Sequence, residues 1–260
     1  MPYMNLKDAD IYYDLQGQGM TMVFIHGAGG NHGVWWQQMP YFSKWFQVVT
    51  MDMRGFGLSR EKEGSPGAAS FTSDLEALLD HLKAKEAILV GQSLGGWPVT
   101  ALTAKSPQRI KALILSGSTG GIDEPALRKR MVEAVAGVEG LPMKIRALSE
   151  TFRQSNPVRA DLYRQFNTYN SPDAPIKRGR TLGPTPEQLK GLKVPVIFIG
   201  GEEDKGLPPD ALRLAHKCVP GAELHILPGV GHSGYFEQPA IFNHLVHAFL
   251  KKALGAKAPF

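Results

Sequence analysis

Cysteine is all but absent from this sequence. Cys218 stands alone, which excludes an intrachain disulfide. Long apolar runs are missing too: none approaches the roughly 20 residues that span a bilayer, so no membrane partner is expected. The stretch Met1-Pro2-Tyr3-Met4-Asn5-Leu6-Lys7-Asp8 has no basic region followed by an apolar one, and no signal peptide is expected. No His/Cys group has metal-ligand spacing and no dinucleotide fingerprint occurs, so neither a metal nor a cofactor is expected. Internal repeats and low-complexity tracts are lacking. These absences leave a soluble, cytoplasmic protein as the expectation.

An excess of one charge is present, but it is diffuse. The chain holds 29 Lys and Arg against 24 Asp and Glu, a net charge of +5. Residues 122–185 carry most of the surplus, and their basic residues alternate with acids and apolar side chains. Only Arg128-Lys129-Arg130 forms a cluster. Such a pattern reads as a solvated basic face and argues against nucleic acid as a partner. A small molecule is the expected partner, with a weak preference for anions, and the protein is expected to be a monomer or homodimer. The composition is that of an ordinary globular chain: 260 residues, 43% hydrophobic and 20% charged. A chain of this size buries roughly 70–75% of the surface it exposes when unfolded, enough for one sizeable core.

Apolar segments alternate between short runs and helical spacing. Tyr3 to Asp14 suggests a hairpin that ends near Gly17 and Gly19. Met22 to Ile25, Phe46 to Met51, Ala87 to Val90, Ile110 to Leu115, Val194 to Ile199 and Glu223 to Leu227 read as strands. Helices are expected at Val34 to Phe42, Phe71 to Leu82 with Thr72 or Ser73 as cap, the stretch ending near Ser106, Pro209 to Lys217 and Pro239 to Lys252. This alternation indicates an α/β fold: a mostly parallel central sheet with helices on both faces. It stops at Gly117-Ser118-Thr119-Gly120-Gly121, and residues 122–185 read as an inserted helical segment within a core of 1–121 and 186–260. Gly255 to Phe260 is expected to fray.

The strongest chemical signal is Gly91-Gln92-Ser93-Leu94-Gly95, between an apolar strand and a helix. A serine hydroxyl is a weak nucleophile and must be exposed and held against a base. A tight strand-to-helix turn exposes it, and the helix start offers free N–H groups to a developing oxyanion. His232, in the glycine-rich Pro228-Gly229-Val230-Gly231-His232-Ser233, is the candidate base. His81, His216, His225, His244 and His247 lie on expected helices or strands and read as surface or packing residues. A carboxylate should orient the imidazole. Asp204, in Gly201-Glu202-Glu203-Asp204, is preferred to Glu203 and Glu202.

These motifs, with His26-Gly27-Ala28-Gly29-Gly30 and Asp52-Met53-Arg54-Gly55-Phe56-Gly57-Leu58-Ser59, resemble the α/β-hydrolase fold family over nearly the whole chain. The resemblance implies a Ser93–Asp204–His232 triad and oxyanion donors at the backbone N–H groups of Leu94 and either Ala28 or Gly29, with Ala28 preferred. It also implies structural roles for His26 and Asp52, and a cap formed by residues 122–185. Serine at position 93 argues against the family members that use aspartate as nucleophile. Trp97, Met131, Met143, Phe152, Phe166 and Tyr169 are candidate substrate-pocket residues. The leading expectation is a serine hydrolase that cleaves a carboxylic ester or lactone of medium size and apolar character. Carbon–carbon bond hydrolysis of ring-cleavage products, amide or thioester hydrolysis, cofactor-free perhydrolysis and slow-turnover ligand reception are the alternatives.

Overall fold

The computed structural model describes residues 2–170 and 183–260. Nine strands form one sheet: β1 (Tyr3–Asn5), β2 (Ala9–Gln16), β3 (Thr21–Ile25), β4 (Gln47–Met51), β5 (Arg60–Glu61), β6 (Ala87–Gln92), β7 (Ile110–Ser116), β8 (Val196–Gly201) and β9 (Glu223–Leu227). Their order is β1-β2-β4-β3-β6-β7-β8-β9, with β5 paired to β2. Every pair from β4 to β9 is parallel, while β1, β2 and β5 pair antiparallel at one edge. The expected hairpin is real, but its turn falls at residues 6–8, and Leu6 N–H donates to the Ala9 carbonyl. Gly17 instead closes against the Phe46 carbonyl with a φ of +84°.

Side-chain alternation along the central strands fills two layers. Val23, Ile25 and Leu89 face one layer with α2 (Phe71–His81) and α3 (Gly96–Lys105); Met22, Phe24, Ile88 and Val90 face the other. That second layer is closed by Trp35 and Phe42 from one end of the chain and Phe242, Val246 and Leu250 from the other.

The expected helix over Val34 to Phe42 is broken into a 3₁₀ turn, His32–Trp35, and a single turn α1 (Met39–Phe42). Pro40 lacks the amide that would carry a helix through, and suits a helix start. The expected cap of α2 is also not used. The helix grows out of a 3₁₀ turn at Gly67–Ser70, and Ser73 Oγ donates to the Ser70 carbonyl at 2.9 Å.

Between β7 and β8 lie α4 (Pro125–Ala136), α5 (Met143–Ala147), α6 (Glu150–Ser155), α7 (Pro157–Thr168) and α8 (Pro186–Lys190). The remainder of the expected insertion, residues 171–182, lies outside the described residues. Among the described residues the segment has no separate core. Leu127 and Leu189 join one layer, while Ala147, Leu148, Phe152 and Tyr163 join the other. The chain closes with α9 (Pro209–Lys217), α10 (Gly234–Glu237) and α11 (Pro239–Leu254). The end does not fray: Phe260 stacks on His247 at 3.8 Å and meets Trp45 and Phe46 edge-on. Among the described residues no helix is long and apolar enough to cross a membrane.

The turn after β4 is built on buried charge. Asp52 accepts from the N–H of His32 and of Leu58, and Ser59 Oγ donates to the Asp52 carbonyl. Arg54, 1% exposed, grips Asp74 of α2 with two bonds of 2.7 and 2.6 Å and reaches Asp8 at 3.0 Å. Arg54→Met should lower stability by about 3–5 kcal/mol, because it strands the buried Asp74 carboxylate. Arg54→Met with Asp74→Leu should recover most of that loss. Urea denaturation with an unchanged m value is the measurement, and an equal loss in the double variant would contradict the argument.

Candidate active site

The site begins at the end of β6. Ser93 holds a φ of +50°, a left-handed backbone rarely tolerated by a side chain and worth about 1–3 kcal/mol of strain. Two close approaches explain how the turn persists. A Cβ on Gly91 would lie 2.5 Å from the Gly95 carbonyl oxygen, and one on Gly95 would lie 2.4 Å from the Ile25 carbonyl oxygen. Only glycine lets β6, the elbow and the end of β3 pack this tightly. Ser118 Oγ donates to the Ser93 carbonyl at 2.6 Å and accepts from Gly120 N–H, bracing the turn from β7. The sequence marked this stretch only as the end of strand–helix alternation.

The loop after β3 lies against the same turn. A Cβ on Gly27 would sit 2.9 Å from Ser93 Cβ. Gly30 N–H donates to the Gly27 carbonyl at 3.0 Å, and Gly29 carries a φ of +99°, so residues 27–30 form a tight turn. Ala28 and Gly29 are the central residues of that turn. His26 behaves as a structural residue. It is fully buried, Nε2 accepts from Met53 N–H at 3.1 Å, and Nδ1 donates to the Gly27 carbonyl at 2.8 Å. Burial pushes its pKa down, so it stays neutral.

The loop after β8 supplies Asp204 and the loop after β9 supplies His232. His232 Nδ1 donates to Asp204 Oδ2 at 2.6 Å. The other carboxylate oxygen, Oδ1, accepts from the amides of Gly206 and Leu207 at 3.0 and 2.8 Å, which fixes its orientation. Glu203 is engaged elsewhere: its Oε1 accepts from Thr151 at 3.2 Å. Gly117, at the end of β7, passes so near that a Cβ would lie 2.5 Å from the His232 carbonyl and 3.3 Å from its Nδ1. Burial pushes the His232 pKa down, but the Asp204 carboxylate, and to a smaller degree Glu237, outweigh it and hold the pKa above its ordinary value.

Glu237 gave no signal in the sequence. It is buried and accepts from Gly231 N–H, Ser149 N–H and Ser149 Oγ, the last at 2.6 Å. Burial raises its pKa. Tyr163 shares a 2.9 Å hydrogen bond with Ser233, and Ser233 N–H donates to the Ala147 carbonyl at 3.0 Å. The histidine loop and the inserted helices are therefore sewn together on both sides of His232.

The candidate pocket residues are dispersed. The methyl of Met143 faces the 27–30 turn, 2.6 Å from where a Gly29 Cβ would stand. Phe166 lies over Gly33, and its carbonyl accepts from Asn31 at 2.9 Å. Trp97 packs under Gly121, and Met131 packs on the core. Phe152 is buried, edge-on to Phe236 and beneath Arg159, and Tyr169 is 70% exposed. Among the described residues no group of three His, Cys, Asp or Glu side chains could hold a metal ion.

Known proteins share this arrangement of strands and helices. A model for the alpha/beta hydrolase fold matches residues 21–239. The 2-hydroxymuconate semialdehyde hydrolase of Pseudomonas sp. (strain CF600) is 29% identical over 261 residues, covering 92% of this chain and 90% of that one. The pimeloyl acyl-carrier-protein methyl ester esterase of Legionella pneumophila (strain Paris) is 26% identical over 250 residues, covering 93% of this chain and all of that one. Among solved structures, Est816, described as an N-acyl homoserine lactone degrading enzyme, superposes with a TM-score of 0.82 at 27% identity, covering 95% of this chain and 100% of that one.

The strained elbow makes a stability prediction. Ser93→Gly should be more stable than Ser93→Ala by about 1 kcal/mol, because only glycine adopts the left-handed backbone freely. Thermal unfolding of the two variants checks it, and an alanine variant that melts at the same temperature or higher would contradict the strain.

Proposed function

Because the chain belongs to the alpha/beta hydrolase fold family, we propose that it is a serine hydrolase that cleaves a carboxylic ester or lactone through an acyl-enzyme on Ser93. The observation that carries this reading is the 2.6 Å pair of His232 Nδ1 and Asp204 Oδ2, linked to the left-handed Ser93 turn through the end of β7, where Gly117 packs on His232 and Ser118 bonds the Ser93 carbonyl. Asp204 fixes the imidazole so that Nε2 is free to act as base, and stabilises the cation formed when it does. Ser93 Oγ attacks the carbonyl carbon as His232 takes its proton. The negative charge that develops on the carbonyl oxygen is met by the Ala28 and Leu94 amides, already held in place before reaction. His232 then protonates the leaving alkoxide, which departs as the alcohol. Water, deprotonated by the same imidazole, releases the acid and restores Ser93. Met143 and Phe166 form the apolar wall above this site, with Trp97 and Met131 behind it. Phe152 and Tyr169 are left out of that wall, one committed to packing and the other to solvent.

A second reading is favoured by one finding, the 29% identity to a hydrolase of 2-hydroxymuconate semialdehyde. There the bond broken would be carbon–carbon, with the same serine and base. A panel of p-nitrophenyl esters, lactones and vinylogous diketones separates the two. Turnover of the esters and lactones with none of the diketones supports the ester reading, and the reverse result overturns it.

Ser93→Ala should remove ester turnover while the thermal melt stays cooperative. Retention of more than a few per cent of wild-type kcat/KM would discard Ser93 as nucleophile. The pH profile gives a second test. Only neutral His232 can accept the serine proton, so activity is present above its pKa and lost as pH falls through it. The acid limb of kcat/KM should lie above the ordinary histidine value of about 6.5. Asp204→Asn should cut kcat by up to about 10⁴-fold and move the remaining limb to lower pH, because the charge that favours imidazolium is gone. A limb that stays in place in Asp204→Asn would separate Asp204 from His232.

A further inference from the structure

One cation beside the candidate site has no carboxylate partner among the described residues. Arg146 is the fourth residue of α5, and the next residue, Ala147, accepts from Ser233 N–H at 3.0 Å. Ser233 follows His232 directly, so Arg146 lies on the strand of chain bonded to the histidine loop. The guanidinium Nη2 approaches Met143 Sδ at 4.0 Å, and the Met143 methyl covers the oxyanion turn at Gly29. Arg146 is therefore bounded by the two halves of the site, the base on one side and the oxyanion turn on the other. Its positive charge also lies near enough to oppose protonation of His232.

The Nε of Arg146 is buried and has no hydrogen-bond partner among the described residues, and Arg146 forms no ion pair among them. A buried guanidinium N–H left unpaired is costly. Arg159 has an unpaired buried Nε too, but its role is evident: Nη2 donates to Gln37 and the Phe236 carbonyl, and the plane rests over Phe152 and Phe236. Among the described residues Arg146 has no carbonyl, amide or aromatic contact of that kind. Its neighbour across the helix turn is a thioether, a weak acceptor, so the Nε–Nη edge lacks a strong acceptor among the described residues.

Resting on the hydrolase reading, we propose that Arg146 is a specificity-determining residue that binds a carboxylate carried by the substrate, so that the preferred ester or lactone bears a second, anionic end. A carboxylate matches the Nε–Nη edge of arginine with two parallel bonds. The scissile carbonyl lies at the oxyanion turn and the anion at Arg146. The apolar Met143 lies between them and accommodates the linking carbons. The diffuse positive charge of the chain favours the approach of such a substrate.

The test reads binding and turnover separately. Titration calorimetry compares succinate, glutarate and adipate with butyrate, valerate and hexanoate on wild type, Arg146→Met, Arg146→Lys and Lys144→Met. Wild type should bind the best dicarboxylate about tenfold more tightly than the monocarboxylate of equal length. Arg146→Met, with a cooperative thermal melt, should lose that preference to within twofold. Arg146→Lys should keep part of it, as a point charge without the fork. Lys144→Met, the same charge change on the same helix, should keep it whole. Equal binding of the two acid classes to wild type, or an undiminished preference in Arg146→Met, overturns the proposal. Absence of p-nitrophenyl acetate turnover by wild type, with the dicarboxylate preference intact, would instead remove the hydrolase reading and leave the anion site standing.

Discussion

Ser93 keeps its left-handed backbone only because the chain on every side of it comes closer than a side chain would permit. The ends of β3 and β6 converge on it through Gly27, Gly91 and Gly95, while Gly117 at the end of β7 packs on His232. Parallel pairing of β3, β6 and β7 brings these three strand ends to the same edge of the sheet. The oxyanion turn and the histidine loop then take their places against that edge, since each leaves a glycine-lined gap filled by its neighbour. Strain in one residue is thus held by packing spread over several strands.

The inserted helices depend on the same edge through polar contacts. Glu237 receives three donors from two segments, and Tyr163 reaches Ser233 from α7. Asn167 and Asn31 add bonds between α7 and the oxyanion loop. Apolar packing continues through this junction, because Leu148, Phe152 and Tyr163 belong to the same buried layer as Phe236. The helices described here therefore sit as an extension of the core, and the groups that face His232 are positioned by contacts from both sides.

The sequence made the sheet readable because its central strands are short apolar runs between glycine-rich turns, and β6, β7 and β9 fall within a residue or two of expectation. Asp204, His232 and the Ser93 elbow were legible for the same reason: each sits where a strand ends. Less was visible where several local preferences compete. The aromatic run from Val34 to Phe42 looked like one helix, yet Pro40 and the packing of Trp35 on Tyr235 divide it. The tail looked loose because nothing local marks Phe260 for burial; its partners, His247 and Trp45, are set by the tertiary fold. Glu237, Ser118 and Arg146 are ordinary residues by composition, and their significance arises from neighbours 20 or more positions away, or, for the Arg146 Nε, from lacking a hydrogen-bond partner among the described residues.

The two sides of the site differ in how they can change. At the base of the site, one added methyl at Gly91, Gly95 or Gly117 would collide with backbone atoms that cannot move aside. Above it, Met143, Arg146 and Phe166 make their contacts through flexible side-chain ends. Substitutions there alter shape and charge without shifting the chain trace. On the proposed hydrolase reading, exchange of these few roof side chains would change what the site admits while the turns below keep their shape. Laboratory libraries confined to that roof would explore selectivity at little risk to folding.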